Sequence, residues 1–247
     1  MLIIDRKTGK RLVNSGDDLL KSLGEKEPIN RNAEKKLEGE ESSPMDPPDA
    51  YSRSHLPEQV NPGDMSGLLK NLMNEHLEAS KRIDEFEVAL VQFNKDGYRM
   101  NRNINDVFRR FFEFIDNFLI LHNAKEEKFL FPLLHQKLVE SGEHSLSDPP
   151  KTAVDILEDD HIKFIQLSSL TFNLLGLATR IDHETSRVQV FDVAYNNGRE
   201  LIEMLRLHIF REDNTLFPIA HRLISKDEFL EMEQKVFPAG HIVIKIY

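Results

Sequence analysis

The chain has 247 residues, 30% of them charged, and a formal net charge of −10 at pH 7. A chain of this length can bury a sizeable hydrophobic core. The negative net charge argues against nucleic-acid binding, which needs a basic surface. The chain has no cysteine, which excludes disulfides, thiolate metal sites, iron–sulfur clusters and thiol catalysis. No apolar run approaches the roughly 20 residues of a membrane span, and the start, MLIIDRKTGKRLV, is too short and charged for a secretory signal. We therefore expect a cytoplasmic protein that binds neither a membrane nor nucleic acid.

The first 64 residues differ in character from the rest of the chain. Residues 1–13 alternate apolar and polar side chains around Lys-Thr-Gly-Lys, which predicts a small hairpin. Residues 24–64 are rich in Glu, Pro, Ser and Asn and have almost no apolar periodicity, which predicts a flexible linker. We divide the chain into an N-terminal extension (1–64), a helical domain (65–225) and a C-terminal helix with a strand-like tail (226–247).

Four segments of the helical domain carry mainly apolar stripes at three- and four-residue steps, the spacing of one face of an α-helix. The stripes are, in chain order, Leu69, Leu72, His76, Ala79, Ile83, Phe86, Leu90 and Phe93; Phe108, Phe112, Ile115, Leu119, His122 and Glu126; Val154, Leu157, His161, Phe164, Ser168, Phe172 and Leu175; and Ala194, Leu201, Leu205, His208, Glu212 and Ile219. Asp148 before Pro149 predicts the start of the third helix.

The connections between these helices are short, which favours antiparallel neighbours. Ser225 and Glu228 predict a capping box that opens a short fifth helix, and the final HIVIKIY alternates like a strand. The predicted fold is all-α, an antiparallel up-down four-helix bundle with short strand-like segments at the N and C termini.

Two stretches of the chain share one layout. HNAKEEKFLFP (122–132) and HIFREDNTLFP (208–218) each place a His four and five residues before an acidic pair and end in Leu-Phe-Pro. His76 and His161 are separated by nearly the same distance, and an acidic residue precedes each of them. The sequence therefore reads as two copies of a helical hairpin, each supplying one His and then a His-x-x-x-Glu.

Six strongly polar residues lie on the otherwise apolar stripes: His76, His122, Glu126, His161, His208 and Glu212. A single such residue is usually a hydrogen-bonded core side chain, and a single His-x-x-x-Glu is a common surface pair. Burying a polar group without a partner costs roughly 2 to 7 kcal/mol, and a bare carboxylate costs more. Six of them facing one core favour a site for two metal ions that neutralise them.

The remaining histidines and other metal architectures are weaker candidates. His135 and His221 repeat at the same separation, but the helical rotation places them on the opposite side from the ligand histidines. A ferritin-like site needs two Glu-x-x-His motifs; Glu158 and His161 form one, whereas position 73 is Met. A zinc or manganese hydrolase and a metal-free helical interaction module stay open as alternatives.

The pattern of His, His-x-x-x-Glu-Glu with Leu-Phe-Pro, His, and His-x-x-x-Glu-Asp with Leu-Phe-Pro resembles the hemerythrin-like (HHE cation-binding) family over roughly residues 65–225. The resemblance implies a four-helix bundle that holds two iron ions and binds or senses oxygen, buffers iron, or responds to nitric oxide and peroxide. Carried over, it implies four histidine ligands and two bridging glutamates: His76, His122, His161, His208, Glu126 and Glu212.

The chain departs from the oxygen-carrier members at two positions. Ile165 stands where they have a further histidine, and their last carboxylate corresponds to Asp213, which stays an alternative to Glu212. With no other catalytic constellation in the sequence, we expect a di-iron protein that binds or senses O₂ or NO, or handles iron. A peroxidase- or oxidase-like redox enzyme is the alternative.

Overall fold

The computed structural model describes residues 60–236, and every regular element in that range is a helix. The predicted hairpin, most of the predicted linker and the strand-like tail lie outside the described residues. The predicted all-α class is confirmed for the described part. Five helices follow a short 3₁₀ turn at Pro62–Asp64: α1 (Gly67–Lys95), α2 (102–141), α3 (Ala153–Ala178), α4 (184–223) and α5 (Lys226–Val236).

Helices α2 and α4 are interrupted by π turns, in which a backbone N–H reaches the carbonyl five residues back. In α2, the α-helical parts are Arg102–Phe114, Ile120–Lys125 and Phe131–Ser141, and the π turns are Ile115–Leu119 and Glu126–Leu130. In α4, the α-helical parts are Glu184–Arg211 and Phe217–Leu223, and the π turn is Glu212–Leu216. Pro132 and Pro218 each come two residues after a π turn. Proline lacks the N–H that an α-helix would use, so the widened turn accommodates the Leu-Phe-Pro of both repeats.

Polar side chains cap the helix starts. Ser66 and Asn101 accept the backbone N–H of the third residue beyond them, at the starts of α1 and α2. Helix α3 begins at Ala153 with Thr152 as its N-cap, and not at Asp148, so the predicted start was wrong. Thr152 and Asp155 form the capping box there, with the Thr152 N–H donating to the Asp155 carboxylate at 2.7 Å.

The core consists of two apolar clusters with a polar layer between them. The first apolar cluster includes Leu72, Leu130, Leu157 and Phe217, and the second includes Ile83, Phe86, Phe93, Phe111, Phe164 and Leu205. Along each of the four long helices, the six polar stripe residues stand between side chains of the two clusters. One stripe position was predicted wrongly, because Phe172 is 57% exposed. Ile219 is half-buried and packs against the first apolar cluster.

Contacts between the long helices follow a regular order. Between α1 and α4, Leu90 lies against Gly198, Glu87 pairs with Arg206 at 2.6 Å, and His76 faces Glu212 at 3.1 Å. Residue numbers therefore rise along α1 as they fall along α4. The same order holds for α1 and α2, where Phe86 stacks on Phe111 and His76 meets His122.

Helix α5 packs on the first apolar cluster through Phe229 and Met232. The predicted capping box is present, because the Ser225 hydroxyl and N–H donate to Glu228 and the Glu228 N–H donates back. Glu233 accepts the Leu68 N–H at 2.8 Å and so satisfies the first turn of α1. Within residues 60–236, none of the helices combines the length and the apolarity that crossing a membrane would need.

Candidate metal centre

The six polar residues of the stripes converge in one buried layer. All have side chains almost inaccessible to solvent: His76, His122, Glu126, His161, His208 and Glu212. They form two sets of four residues whose nearest ligand atoms lie within 4.8 Å of one another, namely His76, His122, Glu126 and Glu212, and Glu126, His161, His208 and Glu212. Because Glu126 and Glu212 belong to both sets, the two carboxylates lie between the histidine pairs.

The imidazoles face each other through their Nε2 atoms. His76 and His122, from α1 and α2, have their Nε2 atoms 3.0 Å apart. His161 and His208, from α3 and α4, have theirs 3.2 Å apart. Each hairpin of the sequence repeat thus supplies one histidine pair, with the Nε2 atoms turned into the layer.

The two glutamates of the layer lack hydrogen-bond partners. Oε2 of Glu212 lies 3.1 Å from Nε2 of His76 and 3.2 Å from Nε2 of His208, and the oxygens of Glu126 lie 3.5 and 3.6 Å from the other two histidines. None of the four carboxylate oxygens has hydrogen-bond geometry to another group, and all are fully buried. Such groups cost several kcal/mol in a protein interior unless they are neutralised, so the four oxygens fit a positively charged ligand.

The pKa values of the layer residues are shifted by burial and by one another's charges. Burial and the neighbouring charge of Glu212 raise the pKa of Glu126 well above the usual carboxylate range. Burial opposes the charge of Glu212, but His208 and His76 outweigh it and lower its pKa. Burial likewise opposes protonation of His76, yet its hydrogen bond to Asp213 and the nearby charge of Glu212 raise its pKa to about 10. Both raised pKa values, of Glu126 and of His76, favour the protonated forms of these two groups.

Carboxylates outside the layer orient the histidines by hydrogen bonds to Nδ1. Three of the four rings are hydrogen-bonded through Nδ1: His76 to Asp213 at 2.7 Å, His122 to Glu75 at 2.8 Å, and His161 to Glu127 at 2.7 Å. In a neutral ring whose Nδ1 proton donates to the carboxylate, the Nε2 lone pair points into the layer. Histidine ligands of protein metal sites are commonly held in this way.

These outer partners were largely missed by the sequence reasoning. Glu75 and Asp160 were noted only as acidic neighbours of His76 and His161, and Glu127 was not singled out. A repeated pattern marks them: an acidic residue precedes the first histidine of each hairpin, and a second acidic residue follows each layer glutamate.

Asp213 and Ile165, the two departures from the oxygen carriers, both lie outside the layer. Asp213 is 24% exposed and reaches His76 from outside, whereas Glu212 is fully buried inside. Ile165 is 47% exposed. Phe164 is the residue that packs on the layer from α3, with its ring 4.8 Å from that of His208.

The Leu-Phe-Pro segments also contribute to the layer. Phe217 stacks on His76 with ring centres 5.5 Å apart and an interplanar angle of 4°. Phe131 stacks on His161 at 5.8 Å and 18°. Each phenylalanine therefore covers the first histidine of the other repeat, which gives the repeated motif a packing role.

Residues assigned to weaker candidates lie away from the layer. His135 bonds to Thr152 at the start of α3, and neither it nor His221 belongs to the two ligand sets. Glu158, the acidic residue of the single ferritin-like motif, is exposed and outside both sets.

The donor set of the layer fits metal ions. Four imidazole nitrogens and two shared carboxylates, all buried and without solvent to screen them, suit first-row transition ions such as iron, zinc or manganese. The unsatisfied carboxylate oxygens are the groups that two such ions would neutralise.

Comparison with known proteins leads to the same site. No curated protein and no solved structure matches the chain. The family described as the hemerythrin HHE cation-binding domain matches residues 67–220, which is more than half of the chain and includes all six residues of the layer. The chain therefore belongs to the hemerythrin HHE cation-binding family.

Proposed function

We propose that the chain holds two iron ions in the polar layer and uses them to bind or sense a small ligand such as O₂ or NO, or to handle iron. The observation that carries the proposal is the sharing of Glu126 and Glu212 between two histidine pairs, with all four carboxylate oxygens unsatisfied. In this proposal His76 and His122 hold one ion, His161 and His208 hold the other, and the two glutamates bridge them.

The proposal includes an antiparallel up-down four-helix bundle as the scaffold. It is supported by the contact order, in which residue numbers rise along α1 as they fall along α2 and α4. The order in which each helix passes the two apolar clusters also supports it. Helices α1 and α3 run from the first cluster to the second, and α2 and α4 run from the second to the first. Residues 65–225 would then form the metal-binding unit.

Four protein ligands per ion leave coordination positions free for an exogenous ligand. When bound, the ions would supply these open positions and a reversible change of oxidation state. The residues around them would determine which molecules arrive there. Two imidazoles and the two shared carboxylates would hold each ion, a donor set that suits first-row ions.

A small apolar cavity of about 10 Å³ adjoins the layer beside His76 and His122. Its other walls include Ile83, Phe118 and Leu205. A space of this size holds roughly one water-sized molecule, and apolar walls disfavour charged ligands because desolvating a charge is costly. The cavity therefore favours a neutral diatomic molecule over an organic substrate.

The experiment is to load the full chain with iron, reduce it without oxygen, add O₂ or NO, and follow the absorption spectrum over repeated cycles. We expect a ligand-dependent spectrum that reverses or settles in a stable oxidised form. Sustained consumption of peroxide or NO over many turnovers in the presence of a reductant would contradict ligand sensing and favour a redox enzyme.

A further inference from the structure

The histidine of α4 is held differently from the other three. The Nδ1 atoms of His76, His122 and His161 each bond to a carboxylate within 2.7 to 2.8 Å. Nδ1 of His208 lies 3.8 Å from the Asp160 carboxylate and makes no hydrogen bond, although it is buried. There are two half-sites, His76 with His122 and His161 with His208. They therefore differ in the hydrogen bonds that their histidines make through Nδ1.

The difference comes from the length of two side chains at corresponding places in the repeat. Glu75 precedes His76, whereas Asp160, one methylene shorter, precedes His161. Glu75 reaches His122 with Oε2 at 2.8 Å. Asp160 does not come within hydrogen-bond distance of the corresponding ring.

The cation beside each carboxylate also differs. Lys125 contacts Oε1 of Glu75 and leaves Oε2 to the His122 ring. At the corresponding place in the second repeat, the buried Arg211 lies 3.3 Å from Oδ2 of Asp160, the same oxygen that is nearest to His208. A guanidinium is always charged and holds a carboxylate oxygen strongly, so Arg211 competes with His208 for that oxygen.

We propose that the half-site of His161 and His208 binds its metal ion more weakly than the half-site of His76 and His122, and that Asp160 and Arg211 set the difference. A carboxylate behind a ligand histidine orients the ring and makes it a better donor, and its loss typically weakens metal binding by roughly 10- to 100-fold. The chain then keeps one ion while it exchanges the other. This inference rests on the proposed dinuclear site.

The test begins with an anaerobic titration of the metal-free full chain with Co²⁺, followed by its visible spectrum. We expect two binding steps whose dissociation constants differ by about 10- to 100-fold. His122→Gln should remove the tighter step and His161→Gln the weaker one. A single step with two equivalent ions would overturn the inference and leave the proposed function standing. No binding at all would overturn the proposed function as well.

A reciprocal exchange of the outer residues tests the cause. Asp160→Glu with Arg211→Lys gives the second half-site the pair of the first, and we expect the weaker step to tighten by about 10-fold or more. Glu75→Asp with Lys125→Arg should weaken the tighter step by a similar factor. Unchanged steps in both exchanges would overturn the role of these residues.

Two single variants, Arg206→Lys and Arg211→Gln, serve as a control and as a second test. Arg206→Lys alters an arginine of the same helix that pairs with Asp84 and Glu87 away from the layer, and it should change neither step. Circular dichroism establishes that each variant is folded. If the double variant of the second half-site does not fold, Arg211→Gln alone should still tighten the weaker step, because it removes the competing charge. No change in that folded variant would contradict the inference.

Discussion

The polar layer and the second apolar cluster are built on the same helix stripes but are completed by different means. In the apolar cluster, Phe86 stacks on Phe111 with ring centres 3.9 Å apart and packs edge-on against Phe108, so the chain itself supplies every partner of that ring. In the polar layer, Glu126 and Glu212 are as deeply buried but have no hydrogen-bond partner. The apolar members of a stripe therefore locate the core, and its polar members mark the part of the core that the protein alone does not satisfy.

The largest expected effect is the loss of metal from the polar layer. His122→Ala or His208→Ala removes one of four protein ligands of an ion, so we expect metal content to fall to one ion per chain or less. His135→Ala is the matched control, because His135 is bonded to Thr152 outside the layer, and it should keep two ions. Metal analysis of the purified variants decides; equal loss in His122→Ala and His135→Ala would refute the assignment of the layer.

A change in the second apolar cluster should lower stability and leave metal binding intact. Phe86→Ala removes a fully buried ring and should lower the free energy of unfolding by about 3 to 5 kcal/mol, measured by urea denaturation. The folded variant should still hold two metal ions, since Phe86 does not contribute to the layer. Loss of metal from folded Phe86→Ala would show that the two regions are not separate.

The third prediction distinguishes inner from outer carboxylates of α4. Asp213→Ala removes the group behind His76 and should weaken metal binding by roughly 10- to 100-fold. Glu212→Ala removes a proposed bridge from both ions and should cost more than Asp213→Ala. Competition with a chelator measures both affinities. The reverse order would mean that Asp213 is the ligand.

Much of the fold and of the layer could be predicted from sequence because both depend on periodicity. Stripes at three- and four-residue steps located four helices and put six polar residues on their buried faces. The π turns were not predictable from that period. They add a residue to a turn, so after Glu212–Leu216 the buried position is Ala220 and not Ile219. Outer carboxylates such as Glu127 act across helices, which the period of one helix does not reveal.

Metal affinity should also depend on pH. Burial opposes protonation of His76, but Asp213 and Glu212 raise its pKa to about 10, so in the metal-free protein its ring carries a proton at neutral pH. Burial lowers the pKa of His122 to about 4, so that ring is already neutral. A metal ion must displace the proton of His76.

Affinity should therefore rise as pH increases from 6 to 8.5 and fall as pH decreases, by roughly tenfold per pH unit for each proton released. Co²⁺ titrations at several pH values in buffers that do not bind metal measure this slope. An affinity that is independent of pH over the range would contradict the protonated state of the layer.

The most direct test of the dinuclear layer is the metal content of the full chain purified from iron-replete cells, measured together with its optical spectrum. We expect close to two iron ions per chain and an absorption spectrum that disappears when the iron is removed by a chelator. Protein that is folded, free of metal and unable to take up iron when reconstituted without oxygen would contradict it.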